Sequence, residues 1–155
     1  MKNRLIFASF LLLVGASCRH DDVEPAQSVE GTYQAKDYNH FSQFSNSYPI
    51  NGQTLSLHIS YVSADTVSVE ITPSAATGSL PDGVYSPTQT LVYPKAYVET
   101  LPNMTTYIYL TGKPTTVGAP AENQIWIYKG NQIADYIFTP KQTPHFSTDI
   151  RFEKQ

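Results

Sequence analysis

Leu55-Ser56-Leu57-His58-Ile59-Ser60-Tyr61-Val62-Ser63-Ala64-Asp65-Thr66-Val67-Ser68-Val69-Glu70-Ile71-Thr72 is the stretch that decides the fold. Leu55, Leu57, Ile59 and Tyr61 alternate with Ser56, His58 and Ser60. Val67, Val69 and Ile71 alternate with Thr66, Ser68, Glu70 and Thr72. A period of two with one apolar face describes two half-buried antiparallel strands. Ser63-Ala64-Asp65 reads as their turn. Closing Val62 on Thr66 pairs Tyr61 with Val67, Ile59 with Val69 and Leu57 with Ile71, so the apolar residues share a face. A slip of one residue would send them all to the other face, so the register is strongly specified.

The same pattern extends outward. Gln124-Ile125-Trp126-Ile127-Tyr128 and Ile133-Ala134-Asp135-Tyr136-Ile137-Phe138 flank Gly130-Asn131, a two-residue hairpin signal. Both faces of this hairpin are apolar, so its outer side is expected to be covered by a loop, a partner or a ligand. Further strands are expected at 31–38, 91–101 (bent at Pro94), 105–110 and 148–153, with 83–87 a candidate short one. Pro and Gly recur too often after Gly31 for any helical period to persist. Eight or nine short antiparallel strands define an all-β domain. They close as an up-and-down barrel or pack as a β-sandwich.

The chain has 155 residues, which suits one domain. Its single Cys, Cys18, excludes an internal disulfide and a Cys-based zinc site. A net charge of −3 without a basic patch argues against nucleic acid as a partner. Met1-Lys2-Asn3-Arg4 is cationic, and the apolar run from Leu5 to Val14 is too short for a bilayer, which needs ~20 residues. It has the form of a signal peptide.

With Gly15-Ala16-Ser17-Cys18 behind it, this start resembles a Bacteroidetes-type bacterial lipoprotein signal, with Gly15 where such signals usually carry Leu. The resemblance implies cleavage before Cys18 and acylation of Cys18. It also implies an outer-membrane address, with Arg19-His20-Asp21-Asp22 similar to a surface-export signal. The expected organisation is a signal peptide at 1–17, an acidic tether at 18–29 and one β domain at 30–155. Losing Lys2 and Arg4 with the signal would take the charge from −3 to −5.

Gly31-Thr32-Tyr33, followed by a long loop before the first hairpin, resembles the Gly-x-Trp start of lipocalin-like, calycin-type barrels, with Tyr in place of Trp. That resemblance implies a late Arg packed over the early aromatic, here Arg151 on Tyr33.

Candidate chemistry is sparse. The hairpin register sets His58 opposite Glu70 on the solvent side, the place of an exposed polar pair contributing ~0.2–1 kcal/mol. No nucleophile is placed beside them. His20, His40, His58 and His145 lack metal-ligand spacing, and Asp21, Asp22 and Glu24 do not form a calcium loop. No phosphate loop, dinucleotide fingerprint or nucleophile elbow occurs. We therefore expect no enzyme, cofactor or metal.

The aromatics are the candidates for binding: Phe41, Phe44 and Tyr48 in a loop of alternating rings and small polar residues, and Tyr107, Tyr109, Trp126, Tyr128 and Tyr136 in strands. They either line a site for an apolar or sugar ligand, or plug and pack the core. Asp65-Thr66-Val67 is similar to a Bacteroidetes-type O-glycosylation site on Thr66. The expected function is that of a lipid-anchored, non-enzymatic envelope protein binding a small or extended ligand. The alternative is an interaction module for another envelope protein.

Overall fold

The structure is a computed structural model that describes residues 23–39, 46–114, 124–141 and 147–155. A short helix, α1 (Pro25–Val29), precedes nine strands: β1 (Gly31–Asn39), β2 (Asn46–Ser47), β3 (Leu55–Ser63), β4 (Thr66–Pro73), β5 (Leu91–Thr100), β6 (Thr106–Tyr109), β7 (Gln124–Tyr128), β8 (Ile133–Phe138) and β9 (Thr148–Lys154). Every pairing is antiparallel. The order β1-β3-β4-β5-β6-β7-β8-β9 closes through β1–β9 into an eight-stranded up-and-down barrel, with β2 added at the upper edge of β1. The sandwich alternative is thereby excluded.

The decisive hairpin pairs as its alternation dictates: Tyr61 with Val67, Ile59 with Val69, Leu57 with Ile71, and His58 with Glu70. Only its tip differs. Ser63 pairs with Thr66, so Ala64-Asp65 is the turn and the register shifts between Tyr61 and Ser63. Tyr61, at the strand end, is 42% exposed rather than buried. The 124–138 hairpin also keeps its expected register, Tyr128 facing Ile133, and its loop runs through Lys129, Gly130 and Asn131, all at positive φ. Residues 83–87 form no strand; they belong to the long β4–β5 connection.

The interior is apolar. Tyr33, Leu57, Ile59, Val67, Val69, Ile108, Ile127 and Phe152 are all at 0% exposure within one core. Each such side chain contributes roughly 1.5–3 kcal/mol relative to exposure. The outer faces of β3 and β4 carry Ser56, His58, Ser60, Ser68, Glu70 and Thr72. A transmembrane barrel has the reverse arrangement, a polar lumen and an apolar lipid-facing band. On β3 and β4 the described barrel has the opposite polarity, apolar inside and polar outside.

The two ends differ. α1 falls within the stretch read as a free tether, yet Ala26 and Val29 are wholly buried in the barrel core. It bridges two turns. The Ala26 N–H donates to the Ala64 carbonyl at 3.2 Å, and Asn131 Nδ2 donates to the Ser28 carbonyl at 3.0 Å. The Tyr33 hydroxyl donates to the Val29 carbonyl at 2.8 Å from inside the barrel. This end is closed. At the other end Tyr38, Ile50 and Val84 form a second small cluster, with Tyr48 and Leu80 packed on it.

Tyr33 does receive a cation, but not the expected one. Lys154 Nζ lies 5.4 Å from its ring centroid, while Arg151 sits over Tyr128 at 6.0 Å. Strand parity explains the difference. Tyr33 and Phe152 point inward, so Arg151 must point outward, and Lys154 is the register partner of Tyr33. Gly31 permits this: a Cβ there would stand 2.6 Å from Lys154 Cε, at a φ of +145° that side chains disfavour.

Candidate functional site

The end opposite α1 holds a cavity of about 570 Å³. Its wall combines Leu91 and Tyr93 from β5, Tyr136 and Phe138 from β8, and the 80–89 segment of the β4–β5 connection, with Lys141 beside them. Ligand pockets commonly span ~300–1,000 Å³, so the volume suits one small molecule. Tyr93 reaches this wall through a β-bulge. β4 pairs Val67 with Ala96 and Val69 with Tyr93, so Pro94-Lys95 adds a residue and both Tyr93 and Ala96 turn inward.

The 80–89 segment lies across the mouth as a strap held by side-chain hydrogen bonds. The Tyr85 N–H donates to Thr148 Oγ1 at 2.8 Å. Gln53 Nε2 donates to the Pro87 carbonyl at 3.2 Å, and the Tyr48 and Ser86 hydroxyls lie 3.4 Å apart. Gln53 is 4% exposed, and its Oε1 has no hydrogen-bond partner among the described residues. Tyr48–Pro49 is a cis peptide, and the Tyr48 ring meets Tyr38 edge-on at 5.7 Å.

The phenols of this region are hard to ionise. Burial raises Tyr48 to about 12, with the Ser86 hydrogen bond opposing it. Burial raises Tyr136 further, and its hydroxyl is engaged with Tyr93. At the closed end, burial alone raises Tyr33 to about 12.

The expected aromatic site residues separate into two groups. Tyr136 and Tyr48 belong to the mouth: Tyr136 lines the cavity and Tyr48 holds the strap. Tyr107, Tyr109, Trp126 and Tyr128 do not line this cavity; they face outward, because Ile108, Ile125 and Ile127 take the interior positions of β6 and β7. Phe41 and Phe44 lie outside the described residues, as do Cys18, His20, His40 and His145. Leu91, Tyr93 and Phe138 were not among the expected residues. Phe138 was legible as the inward end of its strand, whereas Tyr93 was hidden by the bulge.

The outward rings form a continuous row. Tyr97 and Tyr109 have centroids 6.2 Å apart, Tyr109 and Tyr107 6.1 Å, and Tyr107 and Trp126 6.4 Å. Beside them Arg151 grips Asp135 in a fork, Nε to Oδ1 at 2.9 Å and Nη2 to Oδ2 at 3.1 Å. The Tyr128 hydroxyl donates to Asp135 at 2.6 Å. Burial, then the neighbouring Asp135 charge, raises the Asp149 carboxyl above its ordinary value. His58 lies on the opposite outer face, its Nδ1 3.1 Å from Thr32 Oγ1. Among the described residues no group of three or more His, Cys, Asp or Glu could hold a metal ion.

No protein-family model matches the sequence, and no curated protein matches it. Among solved structures, a Bacteroides fragilis chain provisionally described as an outer membrane protein is similar at 16% identity with a TM-score of 0.48. The similarity covers 86% of this chain and 53% of that one, so this chain spans about half the length of its structural neighbour.

Proposed function

We propose that this chain is a lipid-anchored envelope protein, a binding protein rather than an enzyme, whose barrel holds one small molecule with both apolar and polar groups at its open end. The observation that carries the reading is the 570 Å³ cavity, walled by Leu91, Tyr93, Tyr136 and Phe138 and roofed by the strap. Rings and aliphatic groups supply apolar area, and a few hydroxyls orient the ligand. The closed end supports the anchoring side of the proposal. Six residues separate Cys18 from Pro25, and the seven steps between them reach about 25 Å at most. A lipid on Cys18 would hold α1 towards the membrane and leave the mouth facing away.

Both halves are testable. Anilinonaphthalene sulfonate should fluoresce on the folded protein, and Leu91→Trp, which fills the mouth, should abolish this while leaving the far-UV circular dichroism unchanged. Unchanged fluorescence in the folded variant sinks the cavity reading. Cys18→Ala should release the protein from membranes into a carbonate wash; retention there sinks the anchor.

A further inference from the structure

We propose that the outward row Glu99–Tyr107–Trp126–Asp135 is a second binding site, and that its ligand is a neutral polysaccharide. These four residues are successive register partners on β5, β6, β7 and β8, so they form one line across the outer wall. Tyr97 and Tyr109 extend the ring surface at the β5–β6 end. The outer faces of β3 and β4 carry Ser, Thr, His and Glu at equivalent positions, so the aromatic content is a property of this wall and not of the barrel exterior in general.

The rings are already held in place. Trp126 Nε1 donates to Gln124 Oε1 at 3.1 Å, and the Tyr109 hydroxyl donates to Glu99 at 3.4 Å. Side chains fixed before binding lose little further freedom when a ligand arrives.

The interleaving of rings and carboxylates selects the ligand chemistry. A protein hot spot concentrates apolar groups at its centre and keeps charge at the rim. Here Glu99 adjoins Tyr107, and Asp135, already held by Arg151 and Tyr128, adjoins Trp126, so an apolar partner would cover charged groups within the row and strip water from Glu99. An anionic lipid surface or nucleic acid would meet those same carboxylates directly. Arg151 and Lys113, the latter 5.0 Å over the Tyr97 ring, offset Glu99 and Asp135, and Asp149 beside Asp135 leaves the wall slightly acidic. A pyranose ring satisfies both components at once: its C–H face stacks on an aromatic ring, and its hydroxyls donate to the neighbouring carboxylate oxygens. The outside of a closed barrel is convex, so the ligand lies across it as a strand rather than entering a cleft.

The test is native affinity electrophoresis of the full chain in a polyoxyethylene detergent, through gels containing xyloglucan, galactomannan, dextran or polygalacturonate. The expected result is retardation by at least one neutral polymer, weakened roughly five- to tenfold by Trp126→Ala. Trp126→Phe, which keeps a ring, should retain most of it, and Leu91→Trp at the mouth should leave it unchanged. Circular dichroism confirms that each variant is folded. No retardation in any neutral polymer, stronger retardation in polygalacturonate, or equal retardation of folded Trp126→Ala would each overturn the proposal.

Discussion

Raising the pH above 10 should unfold this barrel cooperatively, because three of its phenols ionise readily only after leaving it. Tyr33 is wholly buried beneath α1, Tyr136 is 3% exposed at the mouth, and Tyr48 is partly buried under the strap. Burial pushes Tyr33 and Tyr48 from 10.0 up to about 12, and Tyr136 further the same way. In the unfolded chain all three titrate near 10. Below that pH both states keep their protons, and no stability is lost. As the pH climbs towards the folded-state values, the unfolded chain sheds protons that the folded chain retains, so each increment favours unfolding. A rise from 10 to 12 corresponds to at most about 2.7 kcal/mol for Tyr33 and the same for Tyr48. With Tyr136 added, the loss rivals the ~5–15 kcal/mol that holds a typical domain together. Tyrosinate absorbance and far-UV circular dichroism, followed in one stepwise titration, read both events. The buried phenols should ionise in the same transition that removes the β signal, after the more exposed tyrosines other than Tyr128, which burial and the Asp135 hydrogen bond also raise to about 12, have titrated. Tyr136→Phe should move that transition to higher pH, once stability has been matched at neutral pH. If all 11 tyrosines ionise near 10 while the β signal persists, the reasoning fails.

Phe152→Ala, at a wholly buried core position, should cost about 3–5 kcal/mol in urea unfolding. Tyr33→Phe removes the hydroxyl that caps the Val29 carbonyl; it should cost about 1–3 kcal/mol and speed hydrogen exchange in α1, with no change in ligand binding at the mouth. Thr148→Val keeps the shape but deletes the acceptor of the Tyr85 N–H; amide exchange at Tyr85 should accelerate while global unfolding shifts by roughly 1–2 kcal/mol or less. Separating Arg151 from Asp135 in a double-mutant cycle should give a coupling of about 0.5–1 kcal/mol, falling with salt, because the pair is partly exposed.

Strands with one apolar face were legible in register and in orientation up to the hairpin tip, whereas strands with two were legible in register but not in orientation. In β3 and β4 the alternation of Leu57, Ile59, Val67 and Val69 with Ser, His and Glu settles both the register and the inside. In β6 and β7 the sequence offers Ile108, Ile125 and Ile127 on one face and Tyr107, Tyr109, Trp126 and Tyr128 on the other, and hydrophobicity alone does not rank them. Closure ranks them. An eight-stranded barrel has an interior just wide enough for side chains to fill, and Tyr33, Tyr136 and Phe152 already occupy it with the aliphatic residues. Four more large rings exceed that cross-section, so the branched aliphatics go in and the rings go out. The same limit explains why the mouth was hidden. Its wall depends on a bulge at Pro94-Lys95 that reverses the parity of Tyr93; Pro94 marked a bend there, but a pattern of period two does not say that the bend adds a residue. It also explains α1: five residues are too few to display a helical period, yet Ala26 and Val29 are what closes one end of the barrel. The aromatic surplus that suggested a ligand within the barrel is therefore, for the most part, what the barrel could not contain. Those rings stay on the outer wall, where a sugar chain can reach them.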